Sequence, residues 1–317
     1  MLRSVLPSCR AAAEASRFVA IDQGALRDFA TRLAGKLPTG MVHTPHHFSG
    51  DAEATLAYFM VLDALNFGSG FFTHLAPYRG EDGYYAVATG LRDWFAGSGV
   101  PSLAKLRTIE PAAVAAVLGQ DLHNRGILPF IELCASALRD LGRFVEDDLH
   151  GDWMNLLRQA DHTADGVVGL LARMPFFHDI SDLDGQPVYL LKRAQIFVQD
   201  LAIAASGRGW FEIEGLERLT VFADNFVPAI LAANGVLAYD PDLSKLIGEH
   251  APLRQGSRAE VEVRANAVHA CELLRLEFED RGVTTSAREI DYALWNGADA
   301  PQARGEAVPH ICHTYFY

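Results

Sequence analysis

The chain has 317 residues, with 27 Lys and Arg against 40 Asp and Glu, for a formal net charge of −13. Phosphate neutralisation supplies most of the affinity of a duplex-binding protein. The longest basic cluster here is Lys192-Arg193, which argues against long nucleic acid as the main partner. A chain of this length buries about three quarters of the surface it exposes when unfolded, and needs no disulfide or metal staple.

Cys9, Cys134, Cys271 and Cys312 stand far apart with no Cys-x-x-Cys pair, the pattern of free thiols in a reducing compartment. The first ten residues lack the apolar core of a signal peptide. No uncharged run reaches the ~18 residues a membrane span needs, since residues 56–67 are broken by Asp63. The expectation is a cytoplasmic protein that does not enter a membrane.

Helical spacing dominates. Asp51-Ala-Glu-Ala places acids in the first turn of a helix that runs through Leu56, Phe59, Met60, Asp63 and Phe67 to Gly68-Ser-Gly70. A small hairpin is expected at 77–87, beside the turn residues Gly80-Glu-Asp-Gly83. Residues 187–206 read as a helix with Pro near its start and Leu190, Leu191, Ala194, Phe197, Val198 and Leu201 on one face. Within that stretch Gln186-Pro-Val-Tyr189, after the turn Asp184-Gly185, also alternates as a short strand would, as does Trp210-Phe-Glu-Ile213. Gly207-Arg-Gly209 and Asp240-Pro241 mark further turns. Ser257-Arg-Ala-Glu260 and Ser286-Ala-Arg-Glu289 are capping boxes, the first opening a helix to about residue 279. There is no repeat, low-complexity tract or long linker. The pattern predicts one compact all-α unit over residues 1–317.

Candidate chemistry is sparse. His43, His46 and His47 sit in a Pro/Gly loop without the i, i+4 spacing of a helical metal site, so no metal is expected. His178-Asp179 superficially matches the dipeptide of helical metal phosphohydrolases, a pair common by chance. No Gly-x-Gly-x-x-Gly after a strand, no Gly-x-x-x-x-Gly-Lys-Ser/Thr and no Gly-x-Ser-x-Gly occurs, so no nucleotide cofactor is expected. The most unusual text is Leu219-Thr-Val-Phe222-Ala-Asp224-Asn-Phe-Val-Pro228, an acid inside an apolar run before a helix. Such a carboxylate suits stabilising a sugar oxocarbenium ion. It equally suits capping the next helix, and composition alone favours the cap.

Several ordered runs resemble the queuosine salvage protein family, the queuosine 5′-phosphate N-glycosylase/hydrolases. They are Val61-Leu-Asp63-Ala-Leu-Asn66-Phe67, Val188-Tyr-Leu-Leu-Lys192-Arg-Ala-Gln195-Ile, Leu219 to Asp224 with Val227-Pro228, and Glu260-Val-Glu262-Val-Arg264. Ile290-Asp291-Tyr292-Ala-Leu-Trp295 and the tail Tyr315-Phe-Tyr317 follow in the family's order. The resemblance implies an all-α fold like that of helix-hairpin-helix DNA glycosylases, and hydrolysis of the N-glycosidic bond of queuosine 5′-phosphate to free queuine for reuse in tRNA. It places the nucleophile or transition-state stabiliser on Asp224 and a phenylalanine packed on the deazaguanine at Phe222. Base contacts fall on Asp291, Tyr292 and a histidine that is either His43 or His47.

Three departures bear on base selectivity. Asn296 stands where the family often has an acid, Gly68-Ser-Gly70 replaces an aromatic pair for which Phe71 or Phe72 could substitute, and the tail's arginines are replaced near Ile311 and His313. For the 5′-phosphate, Lys192 is the leading anchor, because a cation on an apolar helix is costly unless paired; snorkelling to solvent is its alternative. Arg264 either assists at the phosphate or forms a buried salt bridge. Asn296 and the altered tail also admit a non-catalytic queuine- or nucleotide-binding protein. A DNA-base glycosylase is the other alternative, opposed by the charge. The chain is expected to act as a monomer on a small nucleotide.

Overall fold

A computed structural model describes residues 1–42, 44–296 and 307–317. In chain order, helix α1 covers Val5–Glu14, strand β1 Val19–Ile21 and α2 Gln23–Ala34. Then come α3 (Ala52–Leu65), α4 (Gly83–Ser98), α5 (Leu103–Arg107), α6 (Pro111–Val117) and α7 (Leu128–Asp147). The middle holds α8 (Asn155–Gln159), α9 (Ala164–Leu171), β2 (Ile180–Leu183), β3 (Gln186–Tyr189) and α10 (Lys192–Ala205). Last are α11 (Phe226–Ala233), β4 (Leu237–Tyr239), α12 (Pro241–Gly248), α13 (Arg258–Asp280) and α14 (Ala287–Asn296). The chain is mostly helical, as its spacing predicts, with two small antiparallel sheets. Among the described residues no helix is long and apolar enough to cross a membrane.

The described residues gather into two compact units. The first comprises Met1–Met41, Asp179–Lys192 and Gly215–His313; the second comprises Val42–His178, Arg193–Glu214 and Thr314–Tyr317.

In the first unit α13 is the axis, packed by α1, α2, α11, α14 and β1. Val263, Ala267, Ala270, Cys271, Leu274 and Phe278 give it a buried stripe. The second capping box forms in full, and the first in a shifted form in which Glu260 reaches back to the Gly256 amide while the Ser257 amide bonds to the Arg254 carbonyl. Ser257 accepts from the Glu260 amide, and Ser286 and Glu289 exchange hydrogen bonds at the start of α14. Asp240-Pro241 proves to be a helix start: Asp240 caps α12 with Pro241 in its first turn. Strands β1 and β4 pair antiparallel, and β2 and β3 form a hairpin. Its two-residue loop, Asp184-Gly185, has φ of 55° and 79°, the left-handed pair such a loop requires.

That hairpin corrects the reading of residues 187–206 as one helix. Pro187 lies in β3, in a two-stranded sheet where either strand is an edge and the missing N–H is tolerated. The helix begins only at Lys192, after Leu191 turns the chain with φ of 51°.

In the second unit α3 is buried on every side from Thr55 to Leu65 and packs against α4 and α7. An all-round apolar helix is a core helix. It ends at Leu65, two residues before Phe67. The hairpin expected at 77–87 reduces to one bridge between Tyr78 and Glu81, because α4 starts at Gly83. Trp210 to Ile213 forms no strand; the neighbouring Glu214 makes a single bridge with Thr163.

Gly68 is required by its own backbone and neighbours. Its φ is 85°, its amide donates to the Tyr317 carbonyl at 2.9 Å, and a Cβ there would lie 2.6 Å from the Phe130 ring. Phe71 and Phe72 pack against that same ring. We expect Gly68→Ala to cost about 2–4 kcal/mol, from the left-handed backbone and the overpacked ring together, read as a lowered urea midpoint with unchanged slope.

Candidate active site

The apolar run 219–228 emerges from Gly215 and feeds α11, and nearly all of it is buried. Burial removes water as a partner for its polar groups, so each must be met by protein. The Phe222 amide donates to Asp291 Oδ1 at 2.9 Å, and the Asp224 amide donates back to the Phe222 carbonyl at 2.8 Å, a tight i to i+2 turn. Asp224 Oδ1 accepts from the amides of Phe226 (2.7 Å) and Val227 (3.1 Å) at the start of α11. The capping role expected of Asp224 is therefore real, but one oxygen performs it. Oδ2 takes no hydrogen bond from a described residue.

Asp224 is 5 % exposed, and burial pushes its carboxyl above the usual range. The Lys192 ammonium, the two α11 amides and the Arg264 guanidinium pull the other way. Asp291 is raised well above the ordinary value, again by burial first, with the Phe222 amide and Lys192 opposing and Asp224 adding repulsion. Two carboxyls and one buried ammonium, Lys192 at 4 % exposure, thus share one dry region of the first unit. In such surroundings a charge acts on its neighbours far more strongly than in water.

Arg264 is fully buried on α13. Its two terminal nitrogens grip the Asp179 carboxylate at 3.0 and 2.6 Å, one also reaches Glu260 at 3.3 Å, and Nε donates to the Ala223 carbonyl at 2.8 Å. The buried salt bridge, one of its two expected roles, is present. Glu262, two residues earlier, accepts the Arg17 and Phe18 amides and pairs with Arg258.

Of the other expected contacts, Tyr292 is half-buried on α14 beside Asp291. Asn296 is exposed at the end of that helix, its amide donating to the Tyr292 carbonyl at 2.9 Å. His47 belongs to the second unit, where its Nε2 and the Tyr84 hydroxyl share a 2.7 Å hydrogen bond and its ring meets Phe59 edge-on. Tyr84 is held as the neutral phenol by burial, reinforced by Asp200 and Asp63. His43 lies outside the described residues.

Two further groups escaped the sequence reading. His310, buried near Arg264, has its imidazole pushed down to about 3, by burial first and then that cation, so it is neutral; its carbonyl accepts from Asn225. Tyr84 carried no signal beyond an aromatic on a helix. Among the described residues no three His, Cys, Asp or Glu side chains group as metal ligands.

The profile of the family described as queuosine salvage protein matches residues 46–317. The queuosine 5′-phosphate N-glycosylase/hydrolase of Sphaerobacter thermophilus is 31% identical over 320 residues, covering 99% of this chain and 97% of that protein. The protein of the same name from Dictyostelium discoideum is 31% identical over 274 residues, covering 84% and 79%. The one from Bos taurus is 27% identical over 336 residues, covering 98% and 97%. The matched span takes in every described element that builds the carboxylate pair and its cations, and the chain belongs to the queuosine salvage protein family.

Proposed function

We propose that the chain hydrolyses the N-glycosidic bond of queuosine 5′-phosphate and releases queuine for reuse in tRNA. The observation that carries this reading is Asp224: buried and anchored through Oδ1 to two α11 amides, with the Lys192 ammonium opposing the rise that burial imposes on its carboxyl. Its ionised form would face C1′ as positive charge builds on the ribose, an electrostatic contribution that needs no reorganisation at the moment of reaction. The C1′–N bond breaks with its electron pair leaving on the base. Water supplies hydroxide equivalents to C1′ and a proton to the base, giving queuine and ribose 5-phosphate.

A 7-deazaguanine has no N7 to protonate, so assistance must come from other atoms of the base. Asp291 supports that role, since burial keeps its carboxyl protonated well above the ordinary range and a neutral acid can donate. Phe222 is assigned to stacking on the base and Tyr292 and Asn296 to its rim. The assignment of His43 or His47 to the base rests on the family resemblance. Lys192 supports the ionised state of Asp224, and its reach to the 5′-phosphate is the second role we assign to it.

We assign the helical frame to the helix-hairpin-helix glycosylase kind on the same resemblance, and residues 1–317 to one functional domain. We assign its action to a monomer. Four buried free cysteines suit the reducing cytoplasm.

Incubation with queuosine 5′-phosphate is expected to yield free queuine and ribose 5-phosphate in equal amounts, followed by chromatography. Tight binding without base release would instead make the chain a nucleotide-binding protein.

A further inference from the structure

The chain enters α10 through an unusual corner. Leu191 is buried and holds φ at 51°, a left-handed conformation that a side chain of this kind adopts only where its surroundings over-determine it. Asp179 contributes three hydrogen bonds to that determination. The Asp179 carbonyl accepts from the amides of both Leu190 and Leu191 at 3.1 Å, and its Oδ2 accepts from the Lys192 amide at 3.2 Å. Three successive amides therefore end on one aspartate, and the third belongs to the lysine that acts on Asp224.

The same carboxylate also receives both prongs of Arg264, whose Nε holds the Ala223 carbonyl, one residue before Asp224. Asp179 is thus tied by one arm to the backbone of Lys192 and by the other to the backbone leading into Asp224. We propose that Asp179 is the positioning residue that sets the Lys192 ammonium and the Asp224 carboxylate relative to each other. It touches neither substrate nor reacting atoms, and the inference rests on the assignment of Asp224 as the catalytic carboxylate.

The charged and titratable groups around this pair come from every element packed there. Lys192 of α10, Arg264 of α13 and Asp291 of α14 act on Asp224 and its neighbour. Arg264 in turn is met by Asp179, Glu260, His310 and Cys9. Loosening Asp179 separates Lys192 from Asp224, and with less opposition to burial the Asp224 carboxyl rises further. The acid limb of kcat/KM then moves to higher pH.

The test uses the full chain with queuosine 5′-phosphate. Asp179→Asn keeps an acceptor oxygen for the Lys192 amide and loses the charge that holds Arg264. Expected are a fall in kcat of about 10²-fold, the cost of misplacing a catalytic group by roughly 1 Å, and a KM changed by less than about threefold. The acid limb should rise, and in the Lys192→Met background Asp179→Asn should move it less than in wild type, since part of its effect passes through that ammonium and the rest through Arg264. Arg264→Lys keeps a buried cation but drops the Ala223 bond, and should lower kcat in the same sense if Asp179→Asn fails to fold. A folded Asp179→Asn enzyme with wild-type kcat and acid limb overturns the inference, as does a limb shift that adds in full to that of Lys192→Met. If neither variant folds, the cluster serves folding alone and the inference falls. A wild-type chain that releases no base removes the functional reading, and this inference with it, before any variant is compared.

Discussion

Asp224→Asn is expected to fold, to lose about 10²-fold or more in turnover, and to become more stable than wild type at neutral pH. The turnover loss corresponds to ~3 kcal/mol of transition-state stabilisation. Asparagine retains an oxygen to accept the Phe226 and Val227 amides, so the cap on α11 survives. The stability change follows from the direction of the carboxyl's shift. Burial raises Asp224 above its unfolded value, so the folded chain holds that proton more tightly than the unfolded chain does. Its contribution to stability is complete below the unfolded pKa and is lost as pH rises through the folded pKa. Above that point wild type carries a costly buried charge and the variant does not. Removing the charge also relieves Asp291, whose own carboxyl Asp224 pushes up. Melting temperatures at pH 5 and pH 8 check this: the variant's advantage should be larger at pH 8. A variant that is equally active, or destabilised at both pH values, would reduce Asp224 to a helix cap.

The second large effect is expected at Lys192. The sequence offers it as the leading phosphate anchor, with snorkelling to solvent as the alternative, and for an anchor Lys192→Met should harm only the 5′-phosphorylated substrate. The pull of the ammonium on the Asp224 and Asp291 carboxyls changes the expected pattern. Without it, the Asp224 carboxyl climbs further and the ionised form becomes scarce as pH falls. We expect kcat/KM to drop at least ~10-fold on queuosine as well as on queuosine 5′-phosphate, with the acid limb moving up for both. A charge-assisted contact to phosphate is worth ~1.5–3 kcal/mol and would add a further, nucleotide-only loss. A loss confined to the nucleotide would leave the lysine as a phosphate anchor with no part in keeping Asp224 ionised.

These groups differ in how plainly the sequence announces them. Asp224 is legible because an acid within an apolar run must answer for its burial, and Lys192 for the same reason on a helix. The boxes at Ser257 and Ser286 are legible because capping is decided within four residues. Pro187 misleads because the apolar spacing that follows it suits a helix, while pairing with β2 decides the matter and lies outside any local window. Asp179 passes as half of a chance dipeptide, since its partner Arg264 is 85 residues away. His47 and Tyr84 meet across 37 residues, and only family resemblance marks the histidine.

Phe222 is wired at both ends, its N–H to the Asp291 carboxyl and its carbonyl to the Asp224 amide. If Asp291 grips the heterocycle and Asp224 meets the sugar, this three-residue segment works as a gauge, fixing the span between the edge of the base and C1′. A nucleotide whose base is one ring smaller could satisfy either carboxyl but not both, so a pyrimidine would be held with its sugar out of reach. Discrimination against the common pyrimidine nucleotides would then come from length measured along the backbone, before any contact with the aminomethyl side chain of queuine is made.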